Sequence, residues 1–378
     1  MTDSVPAEGT STAIDTDILA KILNPPAAWN SILPAMIFRD NVEDFEVEEI
    51  PAYLPGGVGD HLYLWVEKTD TSAAEFISRL SKQLQVPARD VGVAGQKDRR
   101  AITRQFVSVP RSCESHLADF RDDQVKILNV SAHANKLRTG HLLGNRFRIV
   151  LRTTGEGALR QGIASEVRER MLQIHQLGFP NYFGPQRFGH DGNNLTDGIS
   201  LLSQPAFAKR WNPQKRRYLR KMLPSAVQSG VFNLVLAERV TSAAFREPID
   251  GDVVCSREGI RPFAWKDASE ELTGLVPMGP MPGGKMMPAE AAAFELELLC
   301  LKMIGLTPEN FSESGKRTPG TRRRMVTFPT IGEVTQTGDS LELNFTLPAG
   351  SYATVLLAQL GNQITERDRW SVKTGETR

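Results

Sequence analysis

Two periods of apolar residues alternate along the chain, and the places where one gives way to the other mark its elements. Residues 1–30 mix Thr, Ser, Asp, Ala and Pro and read as a poorly ordered leader with at most a helical turn before Pro25-Pro26. In Asp44-Phe45-Glu46-Val47-Glu48-Glu49 apolar residues alternate with acids, the pattern of a half-buried strand. His61–Lys68 places Leu62, Leu64 and Val66 on one face and predicts a second strand. Asp70 or Thr71 would cap a helix over 71–84, where Ala73, Phe76, Ile77, Leu80 and Leu84 recur at helical spacing. Val91, Val93 and Ala94 enter a turn at Gly95, and Thr103, Gln105, Val107 and Val109 alternate after it. Strands over 125–130 and 146–151 follow, then a helix over 158–177 stopped by Gly178 and Pro180.

Neither period survives in Asn181–Asn194 (NYFGPQRFGHDGNN), which reads as an ordered irregular segment or a hinge. Helices are predicted over 195–204, 206–223, 227–245 and 290–304, with 251–289 rich in loops. The run Met278–Met287 (MGPMPGGKMM) inside it fits no motif. Strands return at 325–328 and 340–347, and a helix is expected over 351–360. A strand-rich start and end around a helical middle predicts an α+β fold: a largely antiparallel mixed sheet flanked by helices, from 31–184 and 326–365. A mainly helical α+β insertion would occupy 185–325, and 366–378 would form a C-terminal tail.

Composition adds little to this picture. The chain has 378 residues, 40% hydrophobic and 24% charged, as in an ordinary globular protein. It holds no apolar run long enough to span a membrane. No basic-then-apolar leader opens it, and Cys113, Cys255 and Cys300 suit a reducing compartment, so a cytoplasmic location is expected. Those cysteines and six scattered histidines give no metal-ligand spacing. The net charge of +1 is uninformative, but its distribution is not. Lys209, Arg210, Lys215, Arg216, Arg217, Arg220 and Lys221 fall together with no acid among them, and Trp211 and Tyr218 are interleaved. A second cluster is Lys316, Arg317, Arg322, Arg323 and Arg324. Such clusters suit a phosphate backbone with bases stacked on the aromatics, and a solvated helix face has the same pattern.

No P-loop, strand–turn–helix dinucleotide motif or Gly-x-Ser-x-Gly pattern is present. What remains is Asp98, at the tip of a turn in Lys97-Asp98-Arg99-Arg100. Neighbouring cations would favour its ionised form if they approach it, and an ionised aspartate can serve as nucleophile or general base. A hydrated turn aspartate has the same local sequence. Thr103 and Gln105 downstream could position a ribose or phosphate, or face solvent.

Five stretches, in order, resemble the TruD family of tRNA pseudouridine synthases: Asp44-Phe45-x-Val47-x-Glu49; Gly95-Gln96-Lys97-Asp98 with Ala101-x-Thr103-x-Gln105; Gly144-Asn145-x-Phe147; Asn181–Gly189; and Phe345-x-Leu347-Pro348-x-Gly350-Ser351-Tyr352-Ala353-Thr354. The resemblance implies isomerisation of uridine to pseudouridine in transfer RNA, at U13, on a flipped-out nucleotide, without cofactor or metal. It implies that Asp98 is the catalytic residue. Asn145, Phe147 and Phe345 would line the nucleotide pocket, with Phe45 and Lys97 as further members. Phe147 stands where other pseudouridine synthase families carry a tyrosine; a phenyl ring can stack but cannot act as a base. The helical middle corresponds to the family's insertion. Arg187, Lys209, Arg210, Lys215, Arg216, Arg217, Arg220, Lys221, Arg322 and Arg323 are then the candidate RNA contacts. A monomer with no obligatory protein partner is expected. The alternatives are a synthase acting on other or additional RNAs, and a non-catalytic protein that binds structured RNA; methyl transfer would need a glycine-rich nucleotide site that is not found.

Overall fold

The computed structural model describes residues 14–154, 159–259, 261–265, 274–312 and 318–366. In chain order the elements are α1 (Thr16–Leu23), β1 (Met36–Phe38), β2 (Phe45–Pro51), β3 (His61–Thr69), α2 (Ala73–Gln83), β4 (Gly92–Val93), β5 (Ile102–Pro110), β6 (Val125–His133), β7 (Leu142–Thr153) and α3 (Ile163–Leu177). They continue as β8 (Phe179–Pro180), α4 (Asn193–Ser203), α5 (Pro213–Thr241), β9 (Val253–Ser256), β10 (Phe263–Ala264), β11 (Leu275–Met281), α6 (Ala291–Met303) and α7 (Pro308–Ser312). The last are β12 (Thr321–Arg324), β13 (Val326–Thr327), β14 (Thr330–Thr337), β15 (Ser340–Pro348), α8 (Ala353–Leu357) and β16 (Ile364–Glu366). None of the described helices is long and apolar enough to cross a membrane.

The described residues fall into two compact units, 29–178 with 328–366 and 14–28 with 179–327. The first is built on a ten-stranded sheet with the central order β14-β15-β7-β2-β5-β3-β6. Its pairings are antiparallel except β2 with β5 and β1 with β16. This is the mixed, largely antiparallel sheet that the strand periodicity predicts. On one face Leu62, Leu64 and Val66 of β3 and Val107 and Val109 of β5 pack under Phe76, Leu80 and Leu84 of the α2 segment. The helix starts two residues later than expected because Ser72, rather than Asp70 or Thr71, caps it, its Oγ accepting from the Glu75 amide at 3.2 Å. The opposite face, over β2, β5, β7 and β15, carries a ladder of charges. Arg104 bridges Glu46 (3.2 Å) and Glu67 (2.9 Å), and Arg148 bridges Glu46 (3.0 Å) and Glu342 (2.7 Å).

The second unit is organised by α5. The sequence predicts two helices broken near Pro224, yet Pro213–Thr241 is one helix with Pro224 inside it. An interior proline costs roughly 3 kcal/mol. Burial of nearly every residue from Leu223 to Ala237 offsets that cost. Asn233, buried within this helix, donates to the carbonyls of Ile22 (3.1 Å) and Phe183 (2.9 Å) and accepts from the Phe183 amide (2.8 Å). One side chain thereby ties the Asn181–Gly189 motif and the N-terminal segment to the helix. The expectation of a poorly ordered leader is corrected for residues 16–23: they form α1, and Ile22 is fully buried. The loop-rich reading of 251–289 is corrected as well. Leu275–Met281 is a strand between β9 and β12, and Gly279 lets it lie against the Phe232 ring, where a Cβ would sit 2.8 Å away.

Candidate active site

Asp98 lies in the loop of residues 94–101 that joins β4 to β5 in the first unit. Its Oδ1 is 2.8 Å from Nη2 of Arg39, whose side chain is 3% exposed against 30% for Asp98. Arg39 follows β1 in a left-handed backbone conformation (φ 58°), which costs a non-glycine residue about 1–3 kcal/mol. Its guanidinium stacks over the Phe45 ring at 3.9 Å and pairs with Glu366 at 3.2 Å, while its Nε is buried without a hydrogen-bond partner. The cation that meets Asp98 is therefore not its chain neighbour. Arg39 was not among the expected site residues, and nothing in Ile37-Phe38-Arg39 marks it, because the contact exists only once β1 has joined the sheet.

Register places the expected pocket residues together. Val47 of β2 and Phe345 of β15 both pair with Phe147 of β7, and Asn145 pairs with Glu49 and Leu347. Alternation then puts Phe45, Asn145, Phe147 and Phe345 on one face of the sheet. Phe147 and Phe345 stack at 5.3 Å and 22°, and Phe45 meets the Phe147 ring edge-on at 6.2 Å. Arg39 thus connects Asp98 to an aromatic row. Gly144 permits the close approach of β15 beside this row, since a Cβ there would lie 2.2 Å from the Leu347 carbonyl oxygen. Thr103 and Gln105 share the face through the pairing of Val47 with Thr103. Both are buried rather than solvent-facing. Thr103 Oγ1, Gln105 Oε1 and Asn145 Oδ1 are buried without hydrogen-bond partners, and such atoms call for a ligand or water.

Lys97 departs from expectation. Its ammonium pairs with Glu49 rather than Asp98, at 2.7 Å with side chains 3% and 0% exposed. Glu49 also accepts from the Phe106 amide at 3.3 Å. Lys97 is therefore placed to fix the loop on the sheet, through a partner that pairs in register with Asn145. Among the described residues, no three His, Cys, Asp or Glu side chains form a group able to hold a metal ion.

The candidate RNA contacts divide sharply within the second unit. Lys209, Lys215, Arg217 and Lys221 are exposed, as is Tyr218, and Arg220 is half-buried. Gln214, Arg217, Tyr218 and Lys221 follow helical spacing along α5 and, with Arg187, line a groove of about 760 Å³. Arg187 is held there by Ser229 Oγ at 3.1 Å and Ser225 Oγ at 2.5 Å. Arg210 pairs with Asp197 at 2.6 Å and lies over the Phe207 ring, and Arg216 folds back onto the Trp211 carbonyl at 2.8 Å. In the second cluster Arg322 is corrected. The Arg322 side chain is 1% exposed and paired with Glu297, and Arg323 donates to the Asn181 carbonyl and side chain and stacks over Phe183 at 4.1 Å. Arg322 is thereby buried and is not a surface cation, whereas Arg323 is half-buried. Lys316 and Arg317 lie outside the described residues.

A family model for tRNA pseudouridine synthase D (TruD) matches residues 34–204 and 212–360. A tRNA pseudouridine synthase D from an Anaeromyxobacter species is 36% identical over 338 residues, 87% of this chain and 94% of that protein. One from Thermus thermophilus is 36% identical over 327 residues, 85% of this chain and 87% of that protein. A solved chain from Methanosarcina mazei, described as a TruD, shares the fold with a TM-score of 0.67 at 23% identity, over 92% of this chain and 98% of that one.

Proposed function

The chain belongs to the TruD family of tRNA pseudouridine synthases, and from that premise we propose that it isomerises uridine to pseudouridine at U13 of transfer RNA, with Asp98 as the catalytic carboxylate. The observation that carries the assignment is the Asp98–Arg39 pair (2.8 Å) beside the Phe45–Phe147–Phe345 row. The carboxylate is oriented by a buried guanidinium but remains accessible, as a group that must reach a nucleotide requires.

In this reading the target uridine leaves its stack and its base enters against Phe147 and Phe345, where flat apolar rings replace lost base stacking. Asn145 Oδ1 and the buried oxygens of Thr103 and Gln105 are unsatisfied acceptors for nucleotide donors. The bond from C1′ to N1 breaks, the uracil turns within the pocket, and C5 bonds to C1′. C5 then loses its proton and N1 gains one, so the reaction is a balanced isomerisation. Phe147 has no group able to take the C5 proton, so that transfer uses Asp98, water or another group. The exposed basic face of α5, with Tyr218 among its cations, supports binding of the folded RNA by phosphate contacts and stacking. We place the reaction in the cytoplasm.

The reading is tested by mapping pseudouridine in total RNA from cells with and without the gene. Loss of the signal at U13 alone is the expected result, and its persistence would refute the assignment. Additional losses elsewhere would extend the substrate range.

A further inference from the structure

A second lysine, Lys68, lies beneath the Asp98 loop and has no part in the reaction just described. It occupies β3 on the face already used by Leu62, Leu64 and Val66, where the alternation calls for an apolar residue. The side chain is fully buried. Its Nζ donates to two backbone carbonyls, those of Thr71 and Asp98, each at 2.7 Å. No carboxylate forms an ion pair with it among the described residues. Burying an ammonium without a salt-bridge partner is costly, and an apolar side chain would serve the packing at that position better. The residue is therefore there for its charge and its hydrogen bonds, and one of those bonds ends on the residue that carries the chemistry.

We infer that Lys68 is a positioning residue for Asp98, its ammonium clamping the main chain of the 94–101 loop so that the carboxylate is presented to the nucleotide, and that loss of its proton loosens the clamp. The inference rests on the reading of Asp98 as the catalytic carboxylate. The charged groups around Lys68 are Asp98 and Lys97 in the loop and Asp70 after β3; its cross-strand neighbours, Thr103 of β5 and Val125 of β6, do not titrate. Burial pushes the ammonium down to about 8, against the pull of Asp98 and Asp70 and helped by Lys97. Below that pH the clamp is a charged donor; above it, a neutral amine keeps N–H groups but loses charge assistance, which accounts for about half the strength of such bonds.

The experiment measures single-turnover pseudouridine formation on transfer RNA from about pH 6.5 to about pH 9.5 for the wild type and Lys68→Met. Taking the ratio of the two rates removes any titration of the RNA. The ratio should be about tenfold at neutral pH, the worth of one charge-assisted hydrogen bond. It should fall through a midpoint near 8 to a lower plateau that stays above one, because the neutral amine keeps its N–H donors, with RNA affinity within about twofold throughout. A ratio that stays constant with pH, or is already one at pH 7, overturns the inference. Lys68→Arg gives an independent arm if the methionine variant does not fold, because a guanidinium does not titrate in this range. Its profile should lack the alkaline break of the wild type, and a break retained near 8 would overturn the inference equally. Failure of the Asp98 assignment is distinguishable, since it would appear as turnover surviving in Asp98→Asn whatever the Lys68 profiles show.

Discussion

Replacing Lys97 separates a structural lysine from a chemical one. Lys97 precedes the proposed catalytic aspartate, yet its ammonium is 2.7 Å from Glu49 and both side chains are buried. At that distance the Coulomb attraction is about 6 kcal/mol for an effective dielectric of about 20, an upper bound before desolvation is subtracted. Lys97→Met leaves the Glu49 carboxylate buried and unpaired, and removing one partner of such a pair costs about 3–5 kcal/mol. For a unit of this size each kcal/mol lowers Tm by about 2–4 °C, so calorimetry should find the melting of the sheet unit lowered by about 6–20 °C. The double variant Lys97→Met/Glu49→Gln removes the stranded charge and keeps an acceptor for the Phe106 amide, which Glu49 now receives at 3.3 Å. It should recover most of the loss, a coupling of about 2 kcal/mol or more. Turnover of both variants, measured well below their Tm, should remain within about tenfold of wild type. A Lys97→Met protein that melts like wild type but has lost turnover would refute the reasoning and return Lys97 to the chemistry.

Three further outcomes follow from the geometry. Arg39→Met should lower kcat by about 100-fold with little change in RNA affinity, since it frees the Asp98 carboxylate from its orienting partner; an unchanged kcat would remove Arg39 from the site. Burial raises the Asp44 pKa, but bonds from Arg152 and the Asn41 amide outweigh it and hold the carboxyl below its usual 3.8. The stability it supplies is present at neutral pH and lost as pH falls below about 4, so the Tm gap between wild type and Asp44→Asn should close in acid; a constant gap would contradict the assignment. Replacing Lys215, Arg217 and Lys221 together by alanine should weaken transfer-RNA binding and reduce its logarithmic salt slope by about 2–3, whereas Arg322→Ala should lower stability and leave that slope alone. The opposite pairing of effects would exchange the two clusters.

How far the sequence could be read depended on whether a feature was local. The strands around Phe45, Leu64 and Phe147 are legible because one face is buried and the alternation is clean. Pro224 misled, since a local rule against interior proline cannot weigh burial of a whole helix. Prolines and glycines likewise concealed the strand Leu275–Met281, whose pairing depends on partners far along the chain. The motifs brought Asp98 and the aromatic residues forward as candidates, but not the cation paired with Asp98. The sequence offered Lys97 and the structure supplies Arg39, because an ion pair between residues 39 and 98 is invisible until the sheet closes. Arg322 failed for the same reason: a run of arginines does not reveal that Glu297 lies within reach.

The central claim is that Asp98 performs the isomerisation while RNA binding lies elsewhere. Its most direct test is single-turnover pseudouridine formation by purified Asp98→Asn on unmodified transfer RNA, with affinity measured in the same samples. The account predicts RNA affinity within a few fold of wild type and no pseudouridine formed. Substantial residual turnover by the variant would contradict it.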